Sequence, residues 1–188
     1  APSAELYGAE FEFTKYIPFE TASESSFLAS RRAVVIGNYT WTQSSIAVGP
    51  EDTVEIYGSI CTTRLASDYF VDGRPLTGQS DHLVNLQFGL EALGRMSQQT
   101  LLISYASDRV TTRASGDFPD TLESPGLRVD FVARESLRFL DTDAELKLEI
   151  RNIFQQGYEE SQSLDGNSIY FNKYDIGTSF ALSLTLLL

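Results

Sequence analysis

Phe180, Leu182, Leu184, Leu186 and Leu188 take every second position of the closing stretch, with Ala181, Ser183 and Thr185 between them. Successive side chains of a strand point to opposite faces, so this spacing predicts a strand with one wholly apolar face and one of small or polar groups. The same period of two recurs along the chain. Tyr7, Ala9, Phe11 and Phe13 alternate with Gly8, Glu10, Glu12 and Thr14, and Ala33, Val35, Gly37, Tyr39 and Trp41 with Ile36, Asn38, Thr40 and Thr42. Val84, Leu86, Phe88, Leu90 and Ala92 form the cleanest case, against Asn85, Gln87, Gly89 and Glu91. Further strands are predicted over about Thr100 to Arg113, over Leu127 to Arg134 and over Leu146 to Arg151, and the closing strand is predicted to begin near Ile169. No stretch of similar length carries apolar residues at the i, i+3, i+4, i+7 spacing, so almost no helix is expected.

The connections alternate in length. Glu20 to Ser26, Arg95 to Gln99 and Asp141 to Ala144 are short, whereas Gly49 to His82, Gly116 to Gly126 and Gln162 to Ser168 are longer. An up-and-down meander therefore collects short turns at one end and long loops at the other, as outer-membrane barrels do. Parity alone leaves two readings: apolar face to lipid with charges such as Glu10, Arg128, Asp130, Lys147 and Glu149 inward, or a small soluble barrel with those charges outward. Length separates them. Alternation over about 10 residues suits a bilayer crossing better than the roughly 5 to 6 residues of ordinary sheet strands. Tyr7, Tyr39, Trp41, Tyr105 and Phe139 fall near predicted strand ends, where interfacial aromatic girdles lie. The expected fold is all-β: an antiparallel up-and-down meander of about seven long strands, a segment of a large transmembrane β-barrel. An odd meander leaves its first and last strands parallel to each other, so strands before Ala1 are expected to complete the barrel, because open edges are costly in lipid.

Composition agrees with this and removes other classes. The 188 residues carry 14 Lys and Arg against 26 Asp and Glu, a net charge of -12 with no basic stripe, so a nucleic-acid partner is not expected. Hydrophobic residues make up 42% of the chain, and its apolar runs are far too short for a membrane helix, although a barrel needs none. The single cysteine, Cys61, has no internal partner and reads as a small packed residue. Ala1 is not followed by a basic and then an apolar segment, so a signal peptide is expected to lie upstream or to have been removed.

Candidate chemistry is sparse. His82 is the only histidine, and Ser80-Asp81-His82 in sequence does not supply the geometry of a catalytic triad, so no catalytic residue, metal site or cofactor is assigned. Asp72-Gly73 and Asp165-Gly166 read as turns, and Glu159-Glu160 as a solvated pair before a cation site. The loop from Gly49 to His82 is the best candidate for touching a substrate. Tyr57, Arg64, Tyr69, Phe70 and Arg74 could stack on and pair with an aromatic or anionic ligand, or could pack on neighbouring loops and the rim.

Several stretches resemble a known family: DGRPLTGQSDHLVNLQFGLE at Asp72 to Glu91, LLISYASDRV at Leu101 to Val110, RNIFQQGY at Arg151 to Tyr158, and YDIGTSFALSLTLLL at Tyr174 to Leu188. YGAEFEFTKY at Tyr7 to Tyr16 and NYTWTQSSI add to a likeness that spans nearly the whole chain. These are similar to the C-terminal barrel strands of TonB-dependent outer-membrane receptors. The resemblance implies that residues 1–188 form the C-terminal portion of a barrel domain of about 22 strands whose N-terminal plug lies elsewhere. It implies energy-coupled uptake of a scarce nutrient (a ferric siderophore, cobalamin or a glycan) in the cell outer membrane. The implied partners are membrane lipid, the missing plug and strands, the TonB complex acting through the missing N-terminal region, and the outer-membrane assembly machinery. That machinery would read the last strand, here Gly177, Phe180, Leu182, Leu184, Leu186 and Leu188. Two positions depart from the pattern: Leu188 stands where members usually end in an aromatic residue, and Thr178 where many carry Arg. A passive porin-like channel and a soluble β-sandwich binding module are the other classes that the chain allows.

Overall fold

The computed structural model describes residues 2–19, 27–57, 61–114, 118–139 and 142–187. Along the chain these residues form β1 (Ser3–Pro18), β2 (Arg31–Ala47), β3 (Thr53–Ile56), β4 (Thr62–Leu65), β5 (His82–Ala92), β6 (Ser97–Ala106), β7 (Arg109–Thr112), β8 (Thr121–Glu123), β9 (Gly126–Phe139), β10 (Thr142–Arg151), β11 (Tyr158–Leu164), β12 (Asn167–Tyr174) and β13 (Ser179–Leu187). One short 3-10 turn, Ala66–Asp68, is the only helical element among the described residues. Seven strands make a single antiparallel sheet in the order β1-β2-β5-β6-β9-β10-β13, a large meander as the alternation predicts. This sheet is open, and no pairing joins β1 to β13 among the described residues.

Register gives the sheet its chemistry. Residues directly opposite each other in an antiparallel pair share a face. Lys15, Val35, Phe88, Leu101, Phe131, Ile150 and Phe180 therefore lie in one row across all seven strands. On the other face, Pro18, Arg32, Glu91, Gln98, Arg134, Lys147 and Ser183 form a second full row. A slip of one residue at any pairing would mix the two faces. Most pairings instead keep apolar against apolar, so the seven alternations form one broad apolar surface, interrupted where Lys15 faces Val35, Gln99 faces Leu90 and Glu135 faces Leu146.

That surface is left uncovered. Phe11 is 63% exposed, Phe180 72% and Leu182 70%, and the buried apolar side chains among the described residues are few: Val34, Ile46, Ala66, Val110, Val129 and Ala144. A layered water-soluble domain would bury such a face against a second layer. Phe13 partly fills the gap at Gly37, directly opposite it. A Cβ at Gly37 would come within 2.1 Å of the Phe13 ring, so only glycine leaves room for the ring in this position.

Several predicted boundaries are corrected. The stretch from Thr100 to Arg113 is not one strand; it breaks after Ala106 and resumes as β7 in another sheet. The closing strand does not run from Ile169. Asn167–Tyr174 is β12, and Gly177, with a φ of 71°, separates it from β13. A left-handed φ cannot continue an extended strand. The short connections are tighter than predicted, since β6 begins at Ser97 and β10 at Thr142. The turn over Glu20 to Ser26 lies outside the described residues, as do Asp141 and Leu188.

The long connections carry their own structure. β7, β8, β11 and β12 form a second antiparallel sheet in the order β12-β11-β8-β7, and β3 pairs with β4 as a two-stranded ribbon. Each member of the four-stranded sheet continues one strand of the large sheet: β6 into β7, β8 into β9, β10 into β11 and β12 into β13. Its order repeats that of β13-β10-β9-β6, so the large sheet is prolonged at its loop end beyond a break in every one of four strands.

Candidate functional site

The loop end brings together the long connections and the joint between the two sheets. Asn152 is the centre of that joint. It is only 2% exposed and sits at a left-handed φ of 56° directly after β10. Its Nδ2 donates to the carbonyls of Gln156 and Gly177, both at 2.9 Å, and its Oδ1 accepts the Gln156 N–H at 2.9 Å. The Asn152 N–H donates to Asp130 Oδ1 at 2.7 Å, and the Thr178 hydroxyl donates to the Asn152 carbonyl at 2.9 Å. This one residue thus ties the exit of β10 to the entry of β13 through its side chain and to β9 through its backbone N–H. Such satisfaction is what a buried amide requires. The alternation of polar and apolar positions does not mark Asn152; its signal in the sequence is a polar residue ahead of Gly157, at the point where the alternation of β10 stops.

Beside this joint lies a cavity of about 330 Å³ on the polar face. Asn85 and Ser104, opposite each other on β5 and β6, and Arg128 beside Ser104 on β9 form its floor. Glu123 and Tyr158 reach it from the four-stranded sheet, and Gln156 from the connector. Its charges are already paired: Arg128 Nε meets Asp130 Oδ1 at 3.4 Å, and Arg109 Nε meets Glu123 Oε2 at 2.8 Å. That Glu123 contact is the main reason the Arg109 guanidinium holds its proton more firmly than usual. Tyr158 stacks on Tyr174 at 5.0 Å between ring centres.

The polar face is charge-compensated along its length. Arg32 pairs with Glu91. Arg134 and Lys147 are directly opposite like charges, and Glu145, 3.7 Å from Arg134, and Glu149, 2.8 Å from Lys147, relieve them. Arg151 joins the same Glu149 at 3.2 Å.

None of the five loop residues predicted to touch substrate lines the cavity. Tyr57 is 78% exposed beyond β3 and donates to Glu55 Oε2 at 2.9 Å. Arg64 is exposed on β4, while Tyr69 and Phe70 close the 3-10 turn by donating their N–H groups to the Ala66 carbonyl. Arg74 ties the long loop down: its Nη1 meets Asp120 Oδ1 at 2.9 Å, and its carbonyl accepts the Ile46 N–H. Arg113 Nη1 stands 3.5 Å from the other oxygen of Asp120. Asp52 fixes the start of the loop by accepting the Gly49 N–H at 2.8 Å, which holds its carboxyl below the usual range. Cys61 is exposed rather than packed.

On the last strand, Phe180, Leu182, Leu184 and Leu186 pair with Ile150, Leu148, Leu146 and Ala144 on the apolar face, and Gly177 precedes the strand. Aromatic groups gather at the loop end of the sheet. Tyr7 meets Trp41 edge-on at 5.9 Å, and Tyr39 stacks on His82 with its hydroxyl 2.9 Å from Nδ1. Ser80 donates to the Ser107 carbonyl, so Ser80 and His82 are engaged with separate partners. Glu159 and Glu160 are neighbours on one strand with different partners, Lys173 Nζ at 2.6 Å and Asn172 Nδ2 at 2.5 Å, and do not face a shared cation position. No group of three or more metal-ligating side chains occurs among the described residues. Comparison with protein-family models, with curated proteins and with solved structures returned no match.

Proposed function

We propose that the seven-stranded sheet is part of the wall of a β-barrel in the outer membrane, with its apolar face toward lipid and its polar face toward the barrel interior. Within that class, we propose the C-terminal segment of a TonB-dependent receptor, acting in energy-coupled uptake of a scarce nutrient with a plug and TonB-contacting region supplied by a longer chain. The observation that carries the class is the register, which merges seven alternations into one uncovered apolar surface. Burying apolar area is worth about 25 cal/mol per Å², and lipid is the solvent that makes this face favourable without a second layer. Support for the particular family comes from the quoted stretches, above all RNIFQQGY, whose Asn152 anchors the joint, and the closing strand.

Neighbouring residues of β13 supply the test. Leu184→Arg places a charge on the apolar face and costs roughly 2 to 4 kcal/mol near the bilayer midplane. Ser183→Arg, on the polar face, costs much less. Folding into lipid vesicles, followed by protease protection, distinguishes the two. Equal behaviour of the two variants, or folding without detergent or lipid, overturns the class. The coding sequence upstream of Ala1 tests the family, since strands without a plug would make the protein a passive channel.

A further inference from the structure

At the short-turn end of the large sheet, away from the joint, the apolar face carries a charged cluster. Arg31 lies opposite Ala92, Ser97 opposite Glu135, and Glu135 opposite Leu146, so these groups share the face that Leu184 continues. Arg31 is 3% exposed and Ser97 2%. The Arg31 guanidinium donates to Ser97 Oγ at 2.7 Å and to Gln99 Oε1 at 3.0 Å, and its Cζ stands 3.9 Å from the centre of the Phe27 ring. Ser97 in turn donates to one oxygen of Glu135, whose other oxygen meets Arg95 Nη1 at 2.9 Å. We infer that this cluster seats the phosphate of a phospholipid headgroup at the level where the hydrocarbon ends; the inference rests on the reading of the apolar face as lipid-facing.

Ionised groups on a lipid-facing surface are costly in hydrocarbon and favourable at headgroup depth. A network in which each member has a partner can be held there without bulk water. Arg95 is the group a headgroup can reach: its side chain is 57% exposed, whereas Arg31 is buried and acts through its charge. Arg95 also lines a cavity of about 380 Å³, with Leu137 and Ala144 of the apolar face and with Ser136, Arg138 and Asp143. Among the described residues, Arg31, Arg95 and Arg138 stand here against the carboxylates of Glu135 and Asp143, an excess of one positive charge. A phosphodiester carries one negative charge, and the planar fork of a guanidinium matches its oxygens. Leu93 and Met96, exposed on either side of Arg95 in the turn, add apolar contact for the adjoining acyl chains, which a free phosphate ion could not use.

Met96 is the only methionine, so an isotope-labelled methionine methyl reports on this turn alone in NMR spectra. The full chain is refolded in dodecyl maltoside micelles, which contain no phosphate, and titrated separately with dihexanoyl-phosphatidylglycerol, dihexanoylglycerol and inorganic phosphate. The phospholipid is expected to shift the Met96 methyl saturably. Arg95→Gln and Arg138→Gln are each expected to weaken that affinity about tenfold, the loss of one charge-assisted hydrogen bond, so either variant serves if the other fails to fold. Arg64→Gln, on β4 in the long loop, is expected to leave it unchanged. The inference is overturned if the phospholipid gives no saturable shift in the folded chain, or if the folded arginine variants bind it as the wild type does. Equal affinity for dihexanoylglycerol would reduce the site to apolar contact, and equal affinity for inorganic phosphate would make it an ion site; either result overturns the inference. A silent Met96 methyl in a chain whose Leu184→Arg variant still fails to insert removes the headgroup seat alone. Phospholipid binding by chain that folds without detergent or lipid keeps the seat and removes the membrane reading, so the two failures are separable.

Discussion

The seven-stranded and four-stranded sheets are made by one chain that crosses between them at four places, yet they are stabilised in different ways. In the large sheet most cross-strand rows are sorted by polarity, and a largely apolar face runs from β1 to β13. In the four-stranded sheet the contacts are local and polar: Ser163 with Ser168, Glu160 with Asn172, Glu159 with Lys173 and Arg109 with Glu123. Asp165 and Gly166, at φ values of 50° and 80°, close the β11–β12 hairpin in the left-handed conformation that two-residue turns favour. The first sheet depends on the solvent that meets its face, whereas the second depends on hydrogen bonds that water leaves intact. Polarity sorting therefore ends where the strands break, at Ala106, Gly126, Arg151 and Ser179.

The largest expected effect probes that difference directly. Leu148 sits on β10, next to the edge strand β13, in a row with Ala133 and Leu182. Leu148→Arg is expected to remove about 2 to 4 kcal/mol of stability in vesicles. Ile169→Arg, on the 67%-exposed Ile169 of β12, is expected to stay within about 0.5 kcal/mol. Urea unfolding from lipid vesicles, read by the single tryptophan Trp41, measures both. Equal losses would mean that both sheets share one environment.

A smaller effect is expected at the joint. Asn152→Ala removes three side-chain hydrogen bonds and leaves the Gly177 carbonyl without that donor, a loss of about 1 to 3 kcal/mol. Its signature is local. Backbone amides of β11 and β12 should exchange faster, while those of β5 and β6 keep their protection, because the joint anchors the smaller sheet without contributing to the rows of the larger one.

How much of this was readable in the chain follows from the same contrast. Alternation in Val84 to Ala92 or Phe180 to Leu186 exposes both strand and face, because a one-sided apolar environment imposes a period of two. The seven-strand meander and the sorting of short and long connections to opposite ends follow from it. β11 was hidden for the complementary reason, and β12 merges in the sequence into the closing strand, predicted to start near Ile169. YEESQSL and NSIYFNKY lie in no one-sided apolar environment, so their polarity carries no period, and only Asp165-Gly166 marks the hairpin. The cavity was less visible still. Asn85 and Ser104 looked like routine polar-face positions, and only the pairing of β5 with β6 and the return of Tyr158 and Gln156 over them bring the groups together. Arg74, chosen for its chemistry in the long loop, has its guanidinium engaged in tying the loop to Asp120.

The smallest expected effect is one of pH, and it belongs to the four-stranded sheet. Asn172 donates to Glu160, and this contact, followed by those from Thr111 and Tyr158, holds the Glu160 carboxyl below its ordinary value of 4.5. A carboxyl whose proton affinity is lowered by folding contributes stability that is fully present above the unfolded value and is lost as pH falls through the folded one. Protection of β11 and β12 amides should therefore weaken as pH drops below about 4.5. Glu160→Gln keeps an oxygen for the Asn172 amide and removes the titration, so its protection should be lower at neutral pH but flatter in acid. Lys173 works in the opposite sense: its contact with Glu159 raises its value above 10.5, so its contribution holds below that pH and fades as pH climbs through the raised value. An acid response of the same size in wild type and Glu160→Gln would place the titrating group elsewhere. A response that spread equally into β5 and β6 would mean that the two sheets open as one unit, against the independence that the breaks in all four strands create.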